Sequence, residues 1–215
     1  MMKKRELLLC GVVMALGLIA AAPATVQAAN IIDEWASVKA PPAPTLKPVT
    51  VDAKTTALLL LDFLPHDPYC GGGKPRCGAS LPAMKKLLAE ARAHGATVVY
   101  SVAGNYGPSD IAKDVAPAAN EPSVKTKADK FLNTDLEKTL KDKGIQTVIV
   151  TGTAANGAVL YTASGAAMRG LKVVVPVDGL SANDLYAEQL TVWQLAHGPG
   201  FGNQVTITRS DMIKF

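Results

Sequence analysis

Four short apolar runs, Thr56 to Phe63, Ala96 to Val102, Thr147 to Thr151 and Lys172 to Val177, are spaced along the chain with helix-period segments between them. Each run is rich in Val, Ile or Leu and too continuous for a strand that is wet on one side. Strands of this kind are buried on both faces, as in a parallel sheet. Between them, Leu81 to His94 places Leu81, Met84, Leu87, Leu88 and Ala91 three or four residues apart, and Thr134 to Lys143 does the same with Leu136 and Leu140. Such spacing gathers apolar groups on one helical face. Gly95 and Gly144 follow these segments, where a left-handed residue commonly ends a helix. Further helices are expected over Asn156 to Met168 and Asp184 to Ala196, with a last strand at Gln204 to Thr208. The alternation predicts an α/β fold: a single-domain, three-layer, Rossmann-like arrangement with a mostly parallel sheet covered by helices on both faces.

The first 29 residues stand apart from this pattern. Lys3, Lys4 and Arg5 precede an apolar run from Leu7 to Ala22, and small residues follow at Ala28 and Ala29. This is the form of a secretory signal peptide, so residues 1–29 are expected to be removed and the protein to be periplasmic or secreted. Residues 30–54, with Pro41, Pro42, Pro44 and Pro48, form an extended Pro-rich lead-in, and 55–215 form the domain. Cleavage takes away three basic groups and Glu6, so the net charge falls by two from +4. So small a charge, without a concentrated basic face, predicts no nucleic-acid partner. No membrane association is expected after signal cleavage.

Cys70 and Cys77 lie in PYCGGGKPRCG, and an oxidising compartment makes a disulfide between them the expected state. Free thiols, or a metal site with His66 as third ligand, are the competing readings. GGGK does not make a phosphate-binding loop, because Pro75 stands where Ser or Thr is required. No cofactor is expected.

Ligands of open parallel sheets bind beyond the carboxyl ends of the strands. There LLLLDF puts Asp62 directly after four leucines, where a carboxylate is costly unless it is used. It either serves the site or caps a turn and pairs with a neighbouring cation. The third run ends in TVIVTG and enters TAANGAVLYTASGAAMRG, a small-residue turn that opens a helix and aims backbone amides toward the crevice. Close helix–sheet packing accounts for part of that composition. His66 and Asp67 follow Asp62, Asn156 reads as a helix cap, Asp178 as a turn residue or a support for the site, and Tyr69, Tyr106 and Trp193 as packing or pocket-lining aromatics.

LLLLDF, AEARAHGATVVYSV, KTKADKFLNTDLEKTLKDKGIQTVIVTG and AANGAVLYTASGAAMRGLKVVVPVDG, taken in this order from Thr55 to Asp178, resemble the isochorismatase-like hydrolases, which include nicotinamidases and other cysteine amidohydrolases. The resemblance implies a site made of an aspartate, a lysine and a cysteine. The first two map to Asp62 and to Lys125, six residues before Phe131, leaving Lys127 and Lys130 as solvent-facing. The cysteine position maps to Ala158. It further implies oxyanion donors at the backbone amides of Ala154 and Ala158, a cis peptide in the Thr153–Ala154 region, a small-molecule substrate and a homo-oligomer.

A methyl group cannot attack a carbonyl, so amide hydrolysis through an acyl-enzyme is expected to be absent or very slow. Relatives that cleave the vinyl ether of isochorismate resemble this chain in lacking the thiol. Their chemistry needs an acid: a protonated Asp62, with Lys125 binding a substrate carboxylate or positioning the acid. A nearby lysine, however, lowers an aspartate pKa where acid catalysis needs it raised. The expected activity is hydrolysis of an unidentified small molecule without a cysteine nucleophile; the alternative is an inactive relative that binds a small molecule or serves in assembly.

Overall fold

The computed structural model describes residues 29–66, 70 and 75–215. The leader, together with Asp67, Tyr69 and the GGGK run, lies outside them. The chain divides into two units, 1–41 and 42–215. In the first, Trp35–Ser37 forms one 3-10 turn, preceded by an Asx turn in which Asn30 Oδ1 accepts the Ile32 and Asp33 amides at 2.9 and 3.2 Å. Among the described residues no helix is long and apolar enough to cross a membrane.

The second unit contains β1 (Val49–Thr50), β2 (Thr56–Leu61), α1 (Pro75–Ala93), β3 (Thr97–Val102), β4 (Ser123–Lys125), α2 (Leu136–Asp142), β5 (Thr147–Thr153), α3 (Leu160–Met168), β6 (Lys172–Pro176), β7 (Leu180–Ser181), α4 (Leu185–His197), β8 (Val205–Thr208) and β9 (Ile213–Lys214). Among the described residues, seven strands make one sheet in the order β4-β3-β2-β5-β6-β8, with β7 joining the end of β5, and every pairing is parallel. The four apolar runs are its inner strands. Along β2 the leucines alternate: Leu58 and Leu60 face the core under α1, while Leu59 and Leu61 face the core under α2, α3 and α4. Each buried leucine contributes roughly 1.5–3 kcal/mol, which is why a run of four has no tolerable place on a surface.

Helix ends follow the expected chemistry. Gly95 and Gly144 have φ of 78° and 66°, and Asp184 caps α4 by accepting the Ala187 amide at 2.8 Å. Several elements differ from the sequence reading, among them α3, which begins at Leu160 and not at Asn156. Helix α1 runs from Pro75 to Ala93 with Pro82 inside it, so it starts six residues before the expected Leu81. Lead-in residues are partly structural, since Val49 and Thr50 pair with Ile213 and Lys214 and Val51 is buried. Strand β4 escapes periodicity because three edge residues carry no apolar pattern.

From β2 the chain moves outward through β3 to β4, then returns to β5 on the other side of β2 and moves outward again. The order reverses between β2 and β5. Their carboxyl ends therefore diverge into a crevice, the place where open α/β sheets bind ligands.

Candidate active site

Asp62 is the first residue beyond β2, on one lip of this crevice. Its φ of 53° turns the chain sharply out of the sheet, a conformation that aspartate tolerates better than most residues. Ser101 on β3 holds it at two points: the Ser101 carbonyl accepts the Asp62 amide at 3.2 Å, and the Ser101 hydroxyl donates to Oδ1 at 2.7 Å. Only 3% of Asp62 is exposed.

The partner of Asp62 is Lys130, not Lys125. Lys130 Nζ donates to Asp62 Oδ2 at 2.7 Å, to the Lys127 carbonyl at 2.6 Å and to the Thr126 carbonyl at 3.4 Å, and the residue is fully buried. Three acceptors match the three donors of an ammonium group. This corrects the expectation that Lys130 faces solvent. The segment 126–130 curls back on itself, so that a residue next to Phe131 enters the interior while its own turn wraps the amine. Thr162 on α3 secures the turn by accepting the Lys130 amide at 3.1 Å. Lys125, at the end of β4, is exposed.

Asp62 and Lys125 nevertheless line one cavity of about 560 Å³, together with Lys127, Thr153, Ala154 and Ala158. On the β5 side, a cis peptide joins Thr153 to Ala154, and residues Ala155–Val159 form a wide helical turn that leads into α3. Ala158 sits in that turn, 4% exposed, and lines the same cavity as Asp62. Where the resemblance implies sulfur, this wall is hydrocarbon.

Burial pushes the Asp62 carboxyl above its usual range, outweighing the attraction of Lys130 and the hydrogen bonds from Lys130 and Ser101. The sequence poses a conflict between an acid that needs a high pKa and a lysine that lowers it. Desolvation is the larger influence here, so the carboxyl lies above its usual range even beside Lys130.

Other residues singled out from the sequence do other work. Cys70 and Cys77 form a disulfide, with Cα atoms 5.1 Å apart, across the loop between Asp62 and α1. His66 is exposed and stacks on Tyr106 at 5.0 Å, and Trp193 stacks on His197 at 5.3 Å, so neither aromatic lines the cavity. Asp178 accepts the amide and hydroxyl of Ser210 at 2.9 and 2.6 Å, tying the turn after β6 to the C-terminal segment. Asn156 is exposed and makes no side-chain cap. Ser101 was missed, although a serine inside an otherwise apolar buried strand was its signal.

The Isochorismatase domain family model matches residues 56–209. The chain belongs to the isochorismatase family. Among curated proteins, a streptothricin hydrolase from Streptomyces noursei is 31% identical over 164 residues, 71% of this chain and 62% of the relative. The chain thus spans less than two thirds of that relative's length. Among solved structures, an isochorismatase from Pseudomonas putida KT2440 superposes with a TM-score of 0.67 at 18% identity, covering 80% of this chain and all (100%) of that one. A cysteine hydrolase from Pseudomonas syringae pv. phaseolicola 1448A gives 0.65 at 21% identity, covering 79% and 95%. An N-carbamoylsarcosine amidase from Thermoplasma acidophilum gives 0.62 at 22% identity, covering 73% and 97%. At these identities the likeness is one of fold.

Proposed function

We propose that this isochorismatase family member is an exported hydrolase that acts on a small molecule by acid–base chemistry, without a covalent enzyme intermediate. The observation that carries this reading is the buried carboxyl of Asp62, raised above its usual range, on a cavity that Ala158 also lines. An acid is present where a nucleophile is not. For an enol ether, Asp62 delivers its proton to the terminal carbon and an oxocarbenium forms. Water adds to that centre and loses a proton to the carboxylate, and the hemiketal collapses to a ketone and an alcohol. Lys130 holds the carboxylate while it is charged, and the amides of Ala154 and Ala158 face developing charge on oxygen. Export is supported by the leader pattern of residues 1–29 and by the Cys70–Cys77 disulfide, which suits a periplasmic or extracellular setting.

Purified protein assayed against small enol ethers, esters and amides tests the proposal. Turnover is expected for the first class and lost in Asp62→Asn, with circular dichroism confirming that the variant folds. Full activity in that variant would remove Asp62 from the role. Ala158→Cys should introduce slow ester cleavage and a mass increment from an acylated thiol.

A second reading, a binding protein without turnover, draws on the same methyl group and on the engagement of both Asp62 oxygens. Ligand-dependent thermal stabilisation with no product would favour it. Assembly as a homo-oligomer is part of the proposal. It is supported by Tyr186, Leu190 and Trp193, exposed apolar groups at helical spacing on α4, and is checked by light scattering.

A further inference from the structure

We infer that Ser101 is a positioning residue of this site: its hydroxyl confines the transferable proton of Asp62 to Oδ1, accepting from the neutral carboxyl and donating to the carboxylate. The inference rests on the reading of Asp62 as proton donor. It adds which oxygen bears the proton and what takes the proton's place when it leaves.

Donor and acceptor arithmetic carries the argument. Lys130 Nζ donates to Asp62 Oδ2 at 2.7 Å and spends its other two hydrogens on the Lys127 and Thr126 carbonyls. A proton on Oδ2 would turn the acceptor of that buried ammonium into a hydroxyl oxygen, which accepts poorly. A proton on Oδ1 leaves Oδ2 a carbonyl oxygen, with its lone pairs still open to Lys130. Oδ1 in turn meets Ser101 Oγ at 2.7 Å, and a serine hydroxyl has one hydrogen and two lone pairs. By turning about its Cβ–Oγ bond it serves either form of the carboxyl. Among the described residues its hydroxyl has no second partner to hold it in one orientation.

Backbone geometry keeps the pair at this distance. Leu61 is the register partner of Ser101 in the β2–β3 pairing, and the Ser101 carbonyl accepts the Asp62 amide at 3.2 Å. Ser101 is fully buried, so bulk water cannot replace either hydrogen bond. The other charged groups on the cavity wall are Lys125 and Lys127, and an ammonium group has no lone pair to offer an acid. From the β5 side and the turn before α3 come Thr153, Ala154 and Ala158, which carry no charge.

In the enol-ether reaction the Oδ1–H bond turns from Ser101 to the terminal carbon and breaks there, and its electron pair stays on Oδ1. The Ser101 hydroxyl turns to donate to that oxygen. When water has added to the cation and gives its proton back to Oδ1, the hydroxyl turns again. One oxygen is both acid and base, and the buried carboxyl keeps its hydrogen bonds through both transfers.

NMR of the purified protein, isotope-labelled at the aspartate carboxyls, follows the titration of Asp62, with Asp62→Asn assigning the resonance. Ser101→Ala removes one hydrogen bond from each protonation state, so the midpoint should move by less than about half a pH unit. A fixed donor would be lost from the carboxylate alone, and the midpoint would climb by about one pH unit or more. Ser101→Thr keeps a hydroxyl and should match the parent. If circular dichroism shows Ser101→Ala unfolded, Ser101→Cys, whose thiol is weak in both roles, carries the same expectation. With ethyl vinyl ether as substrate, Ser101→Ala should lower kcat about tenfold, the scale of one hydrogen bond, at unchanged KM, and Ser101→Thr should recover most of it. A midpoint displaced by more than about half a pH unit, or an undiminished kcat, would overturn the proposal. If the midpoint holds and the ether is not turned over, the acid–base reading fails while the proton's place on Oδ1 stands. If the ether is turned over and the midpoint moves, the reverse is true.

Discussion

Lys130 reaches Asp62 across 68 residues of sequence and binds its Oδ2 at 2.7 Å, with both side chains shielded from solvent. A buried ion pair adds little net stability compared with apolar packing, but breaking one is expensive. Lys130 thus fixes where the carboxyl sits more than how stable the fold is. The same contact leaves Lys125 unpaired at the cavity rim.

Replacing Lys130 with Met should cost about 3–5 kcal/mol at neutral pH, because the carboxyl is stranded without a counter-ion. Urea unfolding measures the loss. The double variant Asp62→Asn/Lys130→Gln should lose less than the sum of its two single changes, since each single change leaves the other polar group uncompensated. Strict additivity would show that the contact carries no coupling.

Two carboxyls should move stability with pH in opposite directions. Burial raises Asp62 above its ordinary value of 3.8, so the folded chain holds that proton more tightly than the unfolded chain. Its contribution is whole below 3.8 and is lost as pH rises through the folded value. Glu137 is held at about 2 by hydrogen bonds from Lys141 and Arg169. Its contribution is present above 4.5 and lost as pH falls through about 2. In unfolding titrations, the advantage of the parent over Asp62→Asn should decline with rising pH, and its advantage over Glu137→Gln should grow from pH 2 to 5.

Gly152 is the residue across from Leu61 in the β2–β5 pairing, one position before the Asp62 turn. Its φ is 139°, and a Cβ there would lie 2.2 Å from the Leu61 carbonyl oxygen. Gly152→Ala should destabilise the domain by about 3 kcal/mol and displace Asp62, because backbone and not a movable side chain stands in the way. Denaturant midpoints together with substrate or probe binding would register both effects. Gly95→Ala, with open space around its Cβ position, serves as a milder comparison.

The Cys70–Cys77 bridge ties the segment after the Asp62 turn to the first turn of α1, where Cys77 is buried on the helix's core face. Cys70→Ser/Cys77→Ser should lower unfolding free energy by about 2–3 kcal/mol, mainly through the freedom returned to the unfolded chain. Intact mass before and after reduction checks the bond, and equal stability of parent and double variant would contradict the estimate.

The inner strands were readable in the sequence because burial on both faces demands unbroken runs such as Leu58 to Leu61. The helices were readable where one face is apolar, and the ends of two were marked by Gly95 and Gly144. Asp62 was readable for the same reason: a carboxylate has no ordinary place after four leucines. That position 158 carries a methyl group, which cannot act as a nucleophile, is likewise a matter of sequence alone.

Lys130 was not readable. Three lysines fall within six positions of Phe131, and composition does not distinguish them. Which one goes inside depends on how segment 126–130 turns, which carbonyls it offers to an ammonium group, and what α3 provides through Thr162. β4 and the register that leaves Lys125 at the rim are equally invisible, since an edge strand of three residues is defined by its neighbour and not by its own pattern. Local sequence determined which residues must be buried and which atoms are available for chemistry, because transfer from water acts on each side chain. Tertiary structure decided which charge meets which, because desolvation and pairing depend on groups brought together from distant parts of the chain.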